Sequence, residues 1–183
     1  MLHPLLQVSR PRRLPIFLLF FILTMATMIA LGATGRPLKT EAAPSGIVSY
    51  EFAGDVATAD HIIDSWDTSA RISAGFNLGL DYLYLLAYST TIAMALLWLS
   101  GSLSVGWFAY PALIVAWLQW LAAALDAIEN YALFTMLADG PVDPYPQVAW
   151  WCAAFKFGLV FVGLLLVFVA VTIRMAGMLR RER

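Results

Sequence analysis

The chain has 183 residues, 61% of them hydrophobic and 13% charged, with a formal net charge of −1 and a mean hydropathy of +0.77. A soluble domain is about 45–50% apolar and about 25% charged, so this composition argues against a soluble globular fold, a disordered chain and a basic nucleic-acid-binding face. The length suits one domain, and the single cysteine, Cys152, closes no intramolecular disulfide and supplies no Cys-x-x-Cys redox or zinc motif.

The first predicted element is a membrane-spanning helix over 14–35, a stretch without a charged residue that follows Arg10, Arg12 and Arg13. About twenty apolar residues cross the roughly 30 Å of hydrocarbon as a helix, and lipid offers the backbone no partner, so each span must satisfy itself internally. A basic stretch, an apolar run and the small residues Ala30-Leu31-Gly32 also fit a cleaved signal. The run exceeds the usual 7–15 residues of a signal core, which favours a retained helix.

Residues 36–75 form the one sizeable segment outside the spans. Pro37, Pro44 and Gly46 mark an irregular entry, and 46–52 (GIVSYEF) reads as a short extended piece. Residues 55–65 read as a short amphipathic helix, with Ile62, Ile63 and Trp66 on one side and Asp60, His61 and Asp64 on the other. Asp67 or Thr68 is placed to cap the helix that follows. About forty residues do not build an independent core, so a cap packed on the ends of the spans is expected, with a partner-docking site as the alternative. His61 among scattered carboxylates does not compose a metal site, and none is expected.

The second span covers 76–99 and is broken only by Asp81, the third covers 107–138 and contains Asp126 and Glu129, and the fourth covers 148–173 and contains Lys156. Trp98 and Trp107 flank the short turn at 100–106, Trp150 and Trp151 open the fourth span, and Trp66 precedes the second, all levels favoured by interfacial aromatic belts. Trp117 and Trp120 fall mid-span, where ordinary packing is expected. Gly75 and Gly79 form a GxxxG at a span edge, a match common by chance, and Ala122, Ala123, Ala124 and Ala127 more convincingly offer a small-residue surface for close helix approach.

Charge asymmetry sets the expected orientation. Arg174, Arg180, Arg181 and Arg183 follow the fourth span with Glu182 the one acid there. The loop after the first span carries Glu41, Glu51, Asp55, Asp60, Asp64 and Asp67 against Arg36, Lys39 and Arg71, and the last loop adds Asp139 and Asp143. Basic residues at both ends place both termini in the cytoplasm, as four spans require, and the natural location is a bacterial inner membrane.

The ionisable residues within spans are the informative ones. Asp126, Glu129 and Asn130 stand at i, i+3 and i+4 on one face of the third span, and Asn77, Asp81, Tyr84 and Tyr88 share a face of the second. With Lys156 they are expected at one depth near the outer face. Insertion scales charge about 2.5–3.5 kcal/mol for each unpaired Asp or Lys at a span centre, so these groups pair with one another or meet water. Three readings follow: a structural network holding helix registry, a functional site of Asp81, Asp126, Glu129 and Lys156 acting as general acid and base or proton relay, or interfacial charges with a snorkelling lysine. The spans hold no Ser-His-Asp or Cys-His set, the chain has no glycine-rich phosphate loop, and no intramembrane histidine is expected for haem or di-iron, so no cofactor is implied.

The stretches GLDYLYLLAYSTTIA (79–93) and LDAIENYALF (125–134) resemble a group of small bacterial four-span membrane proteins. That resemblance implies a four-helix arrangement and no particular activity. The carboxylates are also similar to the acidic intramembrane site of sterol-isomerase-like four-span proteins, but the histidine and acidic-tryptophan arrangement of that site are missing and no residue role is carried over. The expected protein is thus an all-α four-helix membrane bundle with a short outer loop carrying a small helix. Its expected role is that of a non-catalytic ligand-binding, accessory or assembly component; the alternative is an intramembrane enzyme or proton-coupled carrier acting on a lipidic or small substrate. Membrane lipid and a membrane-protein partner are the expected companions, and nucleic acid is not.

Overall fold

A computed structural model describes residues 3–102 and 106–181, apart from the side chains of 102, 106–107 and 179–181. Residues 103–105 of the turn between spans, the Trp107 side chain, those of Arg180 and Arg181, and Glu182 and Arg183 therefore lie outside the described residues. Of the described residues 86% are helical, and none among them forms a strand. The helices are α1 (Arg10–Thr34), α2 (Ile47–Glu51), α3 (Val56–Asp64), α4 (Thr68–Ser102), α5 (Gly106–Asp139) and α6 (Tyr145–Arg181). Four of them, α1, α4, α5 and α6, are long and apolar enough to cross a membrane.

Local chemistry explains the boundaries. Asp55 caps α3 by accepting from the Thr58 N–H at 2.8 Å, and Asp67 caps α4 by accepting from the Ala70 N–H at 2.8 Å. The three hydrogen bonds from Thr58 and its neighbour Ala57 hold the Asp55 carboxyl below the usual carboxylate range. Gly140, with φ of 90°, supplies the left-handed residue that stops α5. At the amino terminus a single turn over Pro4–Gln7 precedes α1 and is held back by Arg13, whose Nε donates to the Val8 carbonyl at 3.0 Å and Nη2 to that of Leu6 at 3.1 Å.

Helices α4 and α6 exceed the expected spans by about three turns each, while α5 matches its expected span to within a residue at either end. The 35 residues of α4 are about 52 Å long, well beyond the hydrocarbon thickness. Two separate apolar cores account for this. One core gathers Leu38, Tyr50, Ile62, Trp66, Leu133 and Met136, so the loop clads one end of the bundle. The other core lies along the bundle and includes Leu85, Ile92, Leu96, Phe108 and Ala116. The charged side chains sit between them.

Several expectations need correction. The segment at 46–52 is not extended: Ile47–Glu51 forms α2, because no neighbouring strand exists to pair with it and a helical turn lets Tyr50 bury its ring and donate its OH to the Leu133 carbonyl at 3.1 Å. Trp66 is not an interfacial anchor: it is 2% exposed, and its Nε1 donates to the Leu38 carbonyl at 2.9 Å inside the cap. Gly79 faces open space and Gly75 only grazes Leu137, so the GxxxG makes no helix seam. Of the alanine surface, Ala122 and Ala123 are buried and Ala124 is exposed. His3 is buried between the rings of Trp117 and Trp120, at centroid distances of 4.6 and 4.5 Å, so a histidine does reach mid-span depth on α5. It arrives there because the Pro4–Gln7 turn folds back into the bundle, which hydropathy along the chain does not record.

Candidate functional site

Three helices and the loop converge on one ammonium. Lys156, two to three turns into α6, is buried, and its Nζ donates to Asp126 Oδ1 at 2.7 Å and Glu129 Oε1 at 2.8 Å. The i, i+3 spacing on α5 presents both carboxylates to the same point. Tyr88 of α4 donates its OH to Asp126 Oδ2 at 3.0 Å, so both oxygens of Asp126 are engaged. Asp81, also on α4, accepts from Asn130 Nδ2 at 2.6 Å, tying the second carboxylate-bearing helix to α5 one turn from Asp126. Short charge-assisted bonds of this kind are about twice as strong as neutral ones. They are the arrangement that makes burial of a charge tolerable.

A fourth carboxylate comes from the loop. Glu51 ends α2 directly after Tyr50, and its Oε2 lies 3.8 Å from Lys156 Nζ. Burial raises the Glu51 carboxyl above its ordinary value, an effect only partly offset by the Lys156 charge. Glu51 Oε2 and Glu129 Oε2 are buried without a hydrogen-bond partner among the described residues. In the sequence, Glu51 is one of six loop acids; the one cue that separates it is its position between the aromatic residues Tyr50 and Phe52.

The expected polar residues do not all meet. Asn77 leaves the cluster and serves α1, donating from Nδ2 to the Leu31 carbonyl at 3.0 Å and to Thr34 Oγ1 at 2.8 Å. Lower down, the hydroxyls of Thr24 of α1 and Thr91 of α4 meet at 3.1 Å, and one donates to the other while the second donates back to its own helix carbonyl. Tyr84 has its ring 5.1 Å from that of Tyr88 and lies beside the cluster without joining it. His61 is exposed on α3, and the described residues hold no group of three His, Cys, Asp or Glu side chains with metal-binding geometry.

A cleft reaches the cluster from the side. Helix α1 packs along α4, while α5 and α6 pack on each other and on α4. Between α1 and α6 this leaves a cavity of about 280 Å³. Met25, Met28, Val160 and Leu164 line its walls, and Tyr84, Tyr88, Asp126 and Lys156 form its polar end. Beyond it on the same faces of α4 and α6 lies a second cavity of about 330 Å³, lined by Phe17, Trp98, Val167 and Val171 and reaching Arg174. The arrangement can orient hydrogen-bonding groups and hold protons, and it presents an apolar channel with one polar end. Comparison with protein-family models, with curated proteins and with solved structures finds no match for this chain.

Proposed function

We propose that this protein is a bacterial inner-membrane component that binds an amphiphilic ligand in the cleft between α1 and α6, without catalysing a reaction. One observation carries the reading: an apolar cavity of about 280 Å³ ends on Tyr88, Asp126 and Lys156. Sites for small ligands are mostly apolar with a few placed polar groups, and a cavity flanked by lipid-facing helices is open to molecules already dissolved in the bilayer. The cluster supports the non-catalytic side of this reading because Lys156 is paired twice at under 3 Å with Asp126 and Glu129, a closed ion-pair network and not a set of free acids and bases. Both termini lie in the cytoplasm on the charge asymmetry described above, which puts the cap outside and the cluster near the outer face.

The test is purification from native membrane in mild detergent, with bound lipids and proteins identified by mass spectrometry. The expected result is one amphiphile class retained by the wild type and lost from the double variant Met28→Trp, Leu164→Trp, which fills the cleft mouth. Retention of the same bulk lipids by both proteins overturns the reading. A second reading, an intramembrane enzyme or proton-coupled carrier using Asp81, Asp126, Glu129 and Lys156, draws on the unpartnered oxygens of Glu51 and Glu129, which are places for a proton. It predicts proton uptake or release when the ligand binds.

A further inference from the structure

The polar end of the cleft also bears on what kind of head group it accepts. Asp126 lines it directly, and behind it stand buried Glu51 and Glu129 and half-buried Asp81, four carboxyl groups against one ammonium, Lys156. Two of the three donors of that ammonium are taken by Asp126 and Glu129, and Glu51 stands nearest on another side at 3.8 Å. An anionic head group on the third donor would stand beside these carboxyl groups at reduced dielectric, where like charges repel strongly. Glu129 is fully buried, and its Oε2 has no hydrogen-bond partner among the described residues, so the cluster retains acceptor capacity.

The walls next to the carboxylates are aromatic. Tyr84, Tyr88 and Phe157 line the same cavity, the two tyrosine rings are 5.1 Å apart, and Lys156 Nζ already lies 5.0 Å from the Phe157 ring centroid. Ring faces attract cations, more so where water is excluded. Excess carboxylate, spare acceptor capacity and a surround of rings suit a cation on an apolar chain. The chain has a path: Lys156, Val160, Leu164, Val167, Val171 and Arg174 make one stripe of α6 that lines the two cavities in succession, about 27 Å from end to end.

Resting on the amphiphile-binding reading above, we infer that the ligand is a lipophilic amine, its protonated nitrogen among Asp126, Tyr84 and Tyr88 and its single chain in the groove between α1 and α6. Binding needs no covalent step. The ammonium adds N–H donors to a cluster in which carboxyl oxygens outnumber donors, and the apolar chain replaces lipid along α6.

Three probes of equal chain length test this: hexadecylamine, hexadecanol and hexadecanoic acid, titrated at neutral pH against the whole protein in non-ionic detergent and followed by native mass spectrometry. The amine is expected to bind about tenfold tighter than the alcohol, and the acid weakest. In Asp126→Asn, whose one amide oxygen still accepts from Lys156 while its NH2 can donate to the Tyr88 oxygen, the preference of amine over alcohol should shrink while alcohol binding persists. If that variant fails to fold, Glu129→Gln gives the same comparison from one turn along α5. Equal binding of amine and alcohol, or tightest binding of the acid, overturns the amine assignment while leaving an amphiphile site in place. Absence of saturable binding for all three, or binding unchanged by Met28→Trp with Leu164→Trp, overturns the site itself.

Discussion

Lys156 shows how one residue sets the register of the whole bundle. It joins α6 to α5 through Asp126 and Glu129, and through Glu51 to the cap. Replacing one partner of a buried pair leaves the other charge stranded, at a cost of about 3–5 kcal/mol. Lys156→Met is therefore expected to lower the thermal midpoint in detergent sharply. Adding Glu129→Gln or Asp126→Asn to it should restore part of the loss, because a neutral amide no longer needs the ammonium. A stability unchanged in Lys156→Met would remove the ion pairs from the account of the fold. Gly163 marks the other close residue-level fit. Gln119 of α5 donates from Nε2 to the Leu159 carbonyl of α6 at 3.0 Å, and a Cβ at position 163 would stand 2.5 Å from that Nε2 and 2.9 Å from Ile92 Cγ2. Gly163→Ala should destabilise by about 1–3 kcal/mol, the usual cost of overpacking. Gly163→Ala with Gln119→Ala should recover most of it, a comparison read directly from paired melting curves.

At the scale of elements, the two short segments that precede spans behave as plugs. The Pro4–Gln7 turn inserts His3 between Trp117 and Trp120, and burial lowers the imidazole from its ordinary value. A group with a lowered folded value contributes stability that is complete above the unfolded value, about 6.5 for histidine. That contribution is lost as pH falls, because the undocked segment takes up the proton first. Tryptophan fluorescence of the wild type should therefore change between about pH 7.5 and 5, and His3→Gln should flatten the profile. The sign is opposite for Glu51 in α2, whose folded value is raised by burial. Its penalty on cap docking is absent below the unfolded carboxyl value, about 4.3, and grows as pH rises through the raised folded value. Hydrogen exchange over 47–51 should rise with pH in the wild type beyond the intrinsic rate, and Glu51→Gln should remove that excess. Neither plug is written in hydropathy, since His3 and Glu51 both lie outside the four long apolar runs.

For the whole molecule, the orientation is open to a direct check. In a Cys152→Ser background, cysteines placed at Asp64 and Asp143, both exposed, should react with an impermeant reagent added from outside, and one at Arg174 should not. Labelling at Arg174 from outside would invert the topology and move the cap to the cytoplasm. Four long apolar runs separated by charged loops were enough to determine the number of membrane-crossing helices, because hydrocarbon demands an unbroken internally bonded segment whatever its neighbours do. The short helix ending at Asp64 and the Asp67 cap were legible for a similar reason: both depend on contacts within a few residues. The i, i+3 pair of Asp126 and Glu129 also announced a shared face. Which partner each polar group would take was not local. Asn77 and Asp81 sit one turn apart on the same face of α4, yet one bonds α1 and the other α5. Glu51 meets Lys156 only because the cap folds over the bundle end. The α1–α6 cleft arises from which helices pack together, and no residue by itself encodes that choice. Span count and local caps were thus determined by the sequence alone, while the membership of the charged cluster, the buried His3 and the cleft were decided by tertiary packing, because burial and pairing are properties of neighbours brought together from distant parts of the chain.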